Sequence, residues 1–399
     1  MKEAVVIDAV RTPVGRYGGV LKEVRSDDMA ALCISEIARR NNLDPTKVED
    51  VILGCSNQAG DDNRNVGRMA LLLAGFPIEV AGQTVNRLCG SALNAINSAA
   101  QAIKAGEGEV FIAGGTESMT RSPFVFGKAE SAFSRDVKVF DSTIGWRFIN
   151  PKMAEKYPPI GMGETAELVA EKYGVTRQEQ DEFALKTQQK WGEAFAAGKF
   201  KDEMAYVPVP GAKKGEVILV DRDEHPRPDV TMDQLAKLKP AFKKDGTVTA
   251  GNASGVNDGA AAVLLMEAQT AKDLGYTPIV RVVCSAVAGV HPSYMGMGPV
   301  PAIRKALQRA GLKINDIDLI ELNEAFAAQS IPCMRELGID PDRVNVNGGA
   351  IAIGHPLGST GARIFTTLVH EMKRRGSRYG LVSMCIGVGQ GIATIVEKV

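Results

Sequence analysis

Six cysteines and four histidines are spread over 399 residues, and a few of them stand where their chemistry would count. Cys89 lies in Asn86-Arg87-Leu88-Cys89-Gly90-Ser91, between the strand-like Gln83-Thr84-Val85 and a small-residue run that predicts a helix over Gly90–Ala105. A thiol at a helix start faces free N–H groups and partial positive charge, which favour the thiolate and make Cys89 a candidate nucleophile. Gly90 leaves room for a substrate carbonyl against the backbone. Taken alone, the segment also fits a buried, unreactive thiol.

His355 stands in Gly348-Gly349-Ala350-Ile351-Ala352-Ile353-Gly354-His355-Pro356-Leu357-Gly358, a glycine-dense loop before a helix predicted over Ser359–Arg375. A histidine brought against Cys89 is what a thiol needs for deprotonation at neutral pH. Cys385, in Met384-Cys385-Ile386-Gly387-Val388-Gly389-Gln390-Gly391, closes a strand-like run read as the last of the chain. It fits a resolving thiol of a redox pair, or a proton donor and acceptor whose pKa is easily tuned. Asn323, in Glu321-Leu322-Asn323-Glu324-Ala325-Phe326, can donate toward a developing oxyanion, directly or through a water, or cap the following helix. His225, His291 and His370 lack such company, and His370, in a polar helical segment, is expected at the surface.

These residues need elements to bring them together. Strand-like and helix-like runs alternate at both ends of the chain, the mark of an α/β fold with buried sheets. The first part reads as strand Ala4–Ala9, helix Asp27–Asn41, strand Val51–Gly54, helix Gly67–Ala74, helix Gly90–Ala105 and strand Glu109–Ala113. The last part reads as strand Pro278–Ala288, helix Pro301–Ala310, strand Asp318–Leu322, helix Ala325–Leu337, helix Ser359–Arg375 and strand Tyr379–Cys385. The order repeats. Val48–Ile52 matches Ile317–Glu321 and Val110–Gly114 matches Leu381–Cys385, both offset by about 270 residues, which predicts one α/β unit duplicated and diverged. By that duplication the His355 loop holds the place in its half that the Cys89 loop holds in the other. The stretch 119–248, with a helical run Thr165–Gly198 and turn-rich Pro208–Pro240, is too long for a connection and is expected to be an inserted subdomain covering a site.

Composition removes several classes. Equal counts of 47 basic and 47 acidic residues leave no basic excess for nucleic acid. Mean hydropathy near zero, and no apolar run near the ~20 residues that span a bilayer, argue against a membrane protein. No secretory signal is read at the N-terminus, and no C-x-x-C or disulfide framework is present, so a reducing, cytoplasmic location is expected. Gly161-Met162-Gly163-Glu164-Thr165-Ala166 fits G-x-G-x-x-A but has no strand before it, no Walker A motif occurs, and no histidine cluster suggests a metal. The 42 glycines point to tight turns and close backbone contacts.

With these segments in hand, the sequence resembles the thiolase family, CoA-dependent acyltransferases that make or cleave 3-ketoacyl-CoA. The resemblance runs through Val10-Arg11-Thr12-Pro13, Asn86–Gly90, Gly114–Met119, Thr249–Gly255, Asn323–Phe326, Gly348–Gly358 and Cys385–Gly391, covering essentially the whole chain. It implies two similar α/β halves stacked as five α-β-α-β-α layers with an inserted loop domain. The boundaries expected are 1–118 plus 249–272 for the N-terminal half, 119–248 for the loop domain and 273–399 for the C-terminal half.

The resemblance further implies that His355 takes the proton of Cys89, whose thiolate attacks a thioester to form an acyl-enzyme. Cys385 then removes the α-proton of a second acetyl-CoA, and cleavage runs the same steps backward with CoA. One oxyanion is assigned to His355 and a water held by Asn323, the other to the backbone N–H groups of Cys89 and Gly387. Coenzyme A is implied as substrate rather than as a resident cofactor, with Arg227 near its ADP end and Met162, Phe242, Ala250, Ser254, Met295, Ala325 and Phe326 along the pantetheine. A homodimer or homotetramer is expected, associating beyond Ala81–Val85.

Two positions depart from the family pattern. Family members that condense two acetyl-CoA molecules often carry His where Gly161 stands, so strict acetyl specificity is not implied. Ala92 replaces a more usual Gly. The stretch Phe133–Phe148 and Met384–Gly391 resemble thiolases acting on 3-oxoadipyl-CoA as well as broader acetyl-CoA acyltransferases. A decarboxylating ketosynthase would place His at Asn323 and lack Cys385. A non-catalytic redox or lipid-carrier protein using Cys89 and Cys385 is the reading from another class.

Overall fold

A computed structural model describes residues 2–399. Ten strands hydrogen-bond into one sheet in the order Leu319–Leu322, Tyr379–Ile386, Gln390–Lys398, Val280–Gly289, Ala4–Arg11, Asn257–Glu267, Val110–Ser118, Asp50–Gly54 and Ala81–Val85, with the short Gly15–Arg16 beside Asn257–Glu267. Its middle is a narrow seam where only Val5 and Val6 pair with Arg281 and Val280. On either side the wiring is the same. Asp50–Gly54 is parallel to Val110–Ser118, then Asn257–Glu267 and Ala4–Arg11 follow antiparallel. Leu319–Leu322 is parallel to Tyr379–Ile386, then Gln390–Lys398 and Val280–Gly289 follow antiparallel.

Register corrects the alignment of the two units. Asp50 pairs with Phe111, and Leu319 with Gly380. With Asp50 matched to Leu319, Val110–Gly114 therefore matches Tyr379–Ser383 rather than Leu381–Cys385. The two-residue error preserves which side chains face which side of the sheet, so hydrophobic pattern alone could not expose it. Two long strands of this sheet were also missing from the sequence reading. Asn257–Glu267 is buried along its whole length, and its alanine-rich run has neither alternation nor β-branched bias to mark it. Gln390–Lys398 follows Tyr379–Ile386 through a tight hairpin, so the Cys385 strand is not the last.

Five layers follow from which faces are apolar. Helices Ser26–Arg40 and Val66–Leu73 cover the outer side of the first sheet half. Pro299–Ala310 covers the outer side of the second, with Ala327–Leu337 packed beside it. Ser91–Ala105 and Leu357–Arg375 lie together between the halves in one core. A helix pressed from every side loses its polar face, and Leu357–Arg375 buries every residue from Gly358 to Met372. That includes His370, expected at the surface; it is buried, with Nε2 2.8 Å from the Ala9 carbonyl. Small residues permit the close fit. A Cβ on Gly361 would stand 2.4 Å from the Leu93 nitrogen, and one on Gly115 2.2 Å from the Gly358 oxygen.

Between Val110–Ser118 and Asn257–Glu267 the chain adds two small hairpins, Phe124–Phe126 with Val139–Asp141 and Val207–Pro210 with Val217–Val220. The helical run read over Thr165–Gly198 is two helices, Met162–Tyr173 and Arg177–Ala196, parted at Gly174 with φ +62. Left-handed backbone there ends the first helix at the residue type that tolerates it. Buried ion pairs from Arg11 to Glu203 and Asp223 fasten this region to the first strand. Among the described residues no helix is long and apolar enough to cross a membrane.

Candidate active site

Cys89 is set by a strained turn. Leu88 holds φ +48, left-handed for a bulky residue, which costs on the order of 1–3 kcal/mol. Asn86 Oδ1 accepts from the Leu88 N–H at 2.9 Å, while Ser91 Oγ accepts from the Arg87 N–H at 2.9 Å and donates to the Leu88 carbonyl at 2.6 Å. Cys89 then enters the helix Ser91–Ala105 through Gly90, whose missing side chain leaves room for Ile386. The thiol opens on a cavity of about 500 Å³ shared with Ser56, Asn57, Leu88, Trp146, Arg147, Met162, Leu357, Gly387 and Val388. The backbone N–H groups of Gly387 and of Cys89 itself reach the sulfur and favour its anion. Burial nonetheless outweighs them and pushes the thiol up to about 11. These N–H groups favour the thiolate, as expected from sequence, without by themselves ionising Cys89, so deprotonation falls to a base.

His355 is fixed from both sides of its ring. Its N–H on the backbone donates to Asn257 Oδ1 at 2.9 Å, and its Nδ1 lies 2.7 Å from Thr360 Oγ1. Thr360 Oγ1 donates its one hydrogen to the Pro356 carbonyl at 2.8 Å, so it accepts from Nδ1–H. That leaves Nε2 as a bare lone pair, 3.5 Å from Asn323 Nδ2. Burial, with the Arg363 guanidinium nearby, pushes His355 down to about 3. At pH 7 it is a neutral imidazole with its basic nitrogen free.

Asn323 follows the strand Leu319–Leu322 and donates its own N–H to the Ser383 carbonyl at 3.0 Å. It is not a helix cap, because the next helix starts at Ala327 with Phe326 before it. Its Oδ1 is buried without a partner, which is where a bound water or ligand group would satisfy it. Cys385 is buried, and both desolvation and the nearby Cys89 push its thiol well above the ordinary range. A Cβ on Gly387 would touch Leu88 Cδ1 at 3.2 Å and Met162 Sδ at 3.6 Å, which places this glycine against the cavity wall.

The residues expected along CoA fall into connected places. Arg227 and Ala250 line a second cavity of about 530 Å³ with Gln188, Leu235, Leu238 and Ile351. Met295, Ala325, Phe326 and Cys385 share one apolar cluster with Leu235 and Ile351, and Met162 packs on it. Phe242 meets Phe326 edge-on at 6.1 Å, and Ser254 donates to the Ala325 carbonyl through N–H at 3.0 Å and Oγ at 3.1 Å. The cluster thus borders the Cys89 cavity through Met162 and the Arg227 cavity through Leu235.

Sequence reasoning missed the residues that hold these groups. The buried Glu117 accepts from Ser56 N–H at 2.9 Å, Ser56 Oγ at 2.6 Å and Gly358 N–H at 2.7 Å, tying the Cys89 side to the helix that follows His355. Glu324 accepts from Thr187 Oγ1 at 3.0 Å, Asn345 Nδ2 at 2.8 Å and Ile351 N–H at 3.2 Å. Both acids sit inside segments already singled out, Gly114–Met119 and Asn323–Phe326. An acidic residue in an otherwise buried run was the available signal.

Comparison with known proteins covers the same span. Residues 4–269 match the family model for the thiolase N-terminal domain, and residues 276–398 that for the thiolase C-terminal domain. A 3-oxoadipyl-CoA/3-oxo-5,6-dehydrosuberyl-CoA thiolase of Escherichia coli K12 is 56% identical over 100% of both chains. The acetyl-CoA acetyltransferase of Bacillus anthracis superposes with TM-score 0.94 at 42% identity, over 100% of this chain and 99% of that one. Human mitochondrial 3-ketoacyl-CoA thiolase in complex with CoA gives 0.92 at 43%, over 100% and 98%. Both halves of the fold and both sides of the site lie within these matches, and the chain belongs to the thiolase family of acyltransferases.

Proposed function

We propose that this thiolase cleaves 3-oxoadipyl-CoA, or a 3-ketoacyl-CoA of that acidic kind, with CoA to acetyl-CoA and a shorter acyl-CoA. The observation that carries the catalytic part is the unprotonated Nε2 of His355, fixed in that tautomer by Thr360 and placed 3.5 Å from Asn323 Nδ2, whose companion Oδ1 has no partner. His355 takes the Cys89 proton as the sulfur attacks the 3-keto carbon. The resting pair is a neutral thiol and a neutral imidazole, so this transfer accompanies attack rather than preceding it. The C2–C3 bond then breaks, and Cys385 gives its proton to the departing α-carbon to release acetyl-CoA. The thiolate of CoA attacks the acyl group on Cys89 and restores the enzyme. The N–H groups of Cys89 and Gly387 stabilise the oxyanion on the acyl-enzyme, and His355 with a water on Asn323 stabilises the thioester oxyanion.

For CoA we propose Arg227 at the nucleotide end and the Met162, Phe242, Ala250, Ser254, Met295, Ala325 and Phe326 surface along the pantetheine, supported by the apolar cluster that borders both cavities. The matched strand wiring supports the halves 1–118 with 249–272 and 273–399, and the additional hairpins and helices of 119–248 support a covering subdomain. Ala81–Val85 is an open edge strand, flanked by exposed Leu73 and Ile78. An edge of this kind supports a homo-oligomer that closes it. For the acyl group, the 56% identity to the 3-oxoadipyl-CoA thiolase favours the dicarboxylic substrate, and Gly161 before Met162–Tyr173 argues against strict acetyl specificity. The acetyl-CoA acetyltransferase reading rests on the Bacillus anthracis neighbour at 42% identity.

The test is thiolysis of 3-oxoadipyl-CoA beside acetoacetyl-CoA, with mass spectrometry of the Cys89 peptide. The expected result is a succinyl group on Cys89 and faster turnover of the dicarboxylic substrate. Turnover with an unmodified Cys89 under rapid quench removes the nucleophile assignment, and a preference for acetoacetyl-CoA favours the second reading.

A further inference from the structure

Resting on the dicarboxylic substrate proposed above, we infer that Arg147 binds the free carboxylate of the acyl group while the other end is joined to Cys89. Sixteen residues line the cavity that Cys89 opens into, and Arg147 is the one charged side chain among them. Arg25 and Arg121, by contrast, both pair with Asp61. Arg147 makes no ion pair among the described residues and is half-buried. The wall around it is largely apolar, with Leu88, Ile144, Trp146, Phe148, Leu357 and Val388. A carboxylate entering such a space must find a paired charge there, because desolvating it alone costs several kcal/mol. Guanidinium suits this work, since its planar fork meets both carboxylate oxygens and it stays charged when water is removed.

The turn that carries Arg147 is also held in place. Trp146 Nε1 donates to the Ile160 carbonyl at 2.9 Å. Ser142 Oγ donates to the Pro123 carbonyl at 2.6 Å and accepts from Asn57 Nδ2 at 2.9 Å, which anchors the segment to the first half beside the Cys89 loop. Gly145 at φ +91 and Phe148 at φ +50 bracket the Trp146-Arg147 pair. Strained backbone of this kind gathers at ligand clamps. The fastened turn presents Arg147 to the cavity, where the carboxylate of a succinyl group on Cys89 would need its counter-charge. Cleavage of 3-oxoadipyl-CoA leaves such a group: the C2–C3 bond breaks, C2 leaves in acetyl-CoA with the proton from Cys385, and C3–C6 remain on the sulfur.

The experiment compares kcat/KM for 3-oxoadipyl-CoA and 3-oxohexanoyl-CoA, which differ only in carboxylate against methyl at the chain end. The wild-type enzyme should favour the acid. In Arg147→Met the ratio should fall by about 10–100-fold, mostly through KM, the size of a lost charge-assisted hydrogen-bond pair. Arg147→Lys should recover part of the ratio, and Arg147→Glu should invert it. A wild-type ratio retained in folded Arg147→Met and Arg147→Glu overturns the assignment of Arg147 alone. If wild type turns over both substrates equally through an acylated Cys89, the dicarboxylic reading falls and the inference with it. Should the Met variant not fold, the Lys and Glu variants decide by the same ratio.

Discussion

The two central helices begin in matched loops that have been put to different uses. Cys89 stands two residues before Ser91, the first residue of its helix, and His355 stands two residues before Leu357. Each helix leads into the matching strand, Val110–Ser118 or Tyr379–Ile386, and each ends at a left-handed glycine, Gly106 or Gly376. The Cys89 loop is open on a cavity, and its turn is held by Asn86 and Ser91 around a strained Leu88. The His355 loop is closed, with Nδ1 and the backbone N–H engaged, Nε2 3.5 Å from the Asn323 amide nitrogen, and the residue 5% exposed. The nucleophile proposed at Cys89 must be reached by substrate, whereas the base proposed at His355 must keep one tautomer and shed its charge. Two equivalent helix starts thus differ in how far they are closed off, which suits them to the two proposed roles.

The largest expected effect separates the open thiol from the buried one. Cys89→Ser should reduce thiolysis on the order of 10⁴-fold or more and abolish acylation of that peptide, since a hydroxyl ionises far less readily than a thiol. Cys385→Ser should still accept an acyl group on Cys89 yet lose about 10²–10⁴-fold in turnover and in deuterium exchange into the acetyl-CoA methyl group. Wild-type exchange in a folded Cys385→Ser enzyme would mean that Cys385 is only a core thiol.

A smaller effect tests the closed loop. Thr360→Val removes the acceptor for His355 Nδ1–H and leaves a buried donor unpaired, a cost of about 1–3 kcal/mol. Turnover should fall about tenfold or more and its pH–rate profile should shift as the ring samples the other tautomer, while Thr360→Ser should restore both. A profile identical to wild type in Thr360→Val would show that the tautomer is set by something else.

The smallest effect is read in stability. Burial holds His355 down to about 3 and His225, beside Arg16 and Arg227, to about 4, against an ordinary 6.5. Below pH 6.5 the unfolded chain takes up protons that these folded imidazoles refuse. Their contribution is therefore complete above pH 6.5 and is lost as pH falls through 4 and 3. Denaturant unfolding followed from pH 7 to pH 5 should lose stability, with each histidine contributing up to about 1.4 kcal/mol per pH unit. His225→Asn should flatten part of that slope, and an unchanged slope would remove His225 from the account.

Residue types and spacing determined much of this protein. The helix–strand order, the duplication, the long insertion and the Cys89, His355, Cys385 and Asn323 segments were all legible, because each depends on local pattern or on a rare residue in a glycine-rich setting. The strand Asn257–Glu267 was not legible, since burial on both faces erases alternation. His370 was misplaced for the same kind of reason: a helix between two sheets buries polar residues that would mark a surface elsewhere. Only the tertiary structure decided the two-residue register between the halves, the carboxylates Glu117 and Glu324 that fasten the loops, and the tautomer of His355. It also decided the protonation of Cys89 and His355. A helix N-terminus favours a thiolate over a short range, but at Cys89 it is overridden by desolvation, to which packing from far along the chain contributes, with Ile386 seated against Gly90.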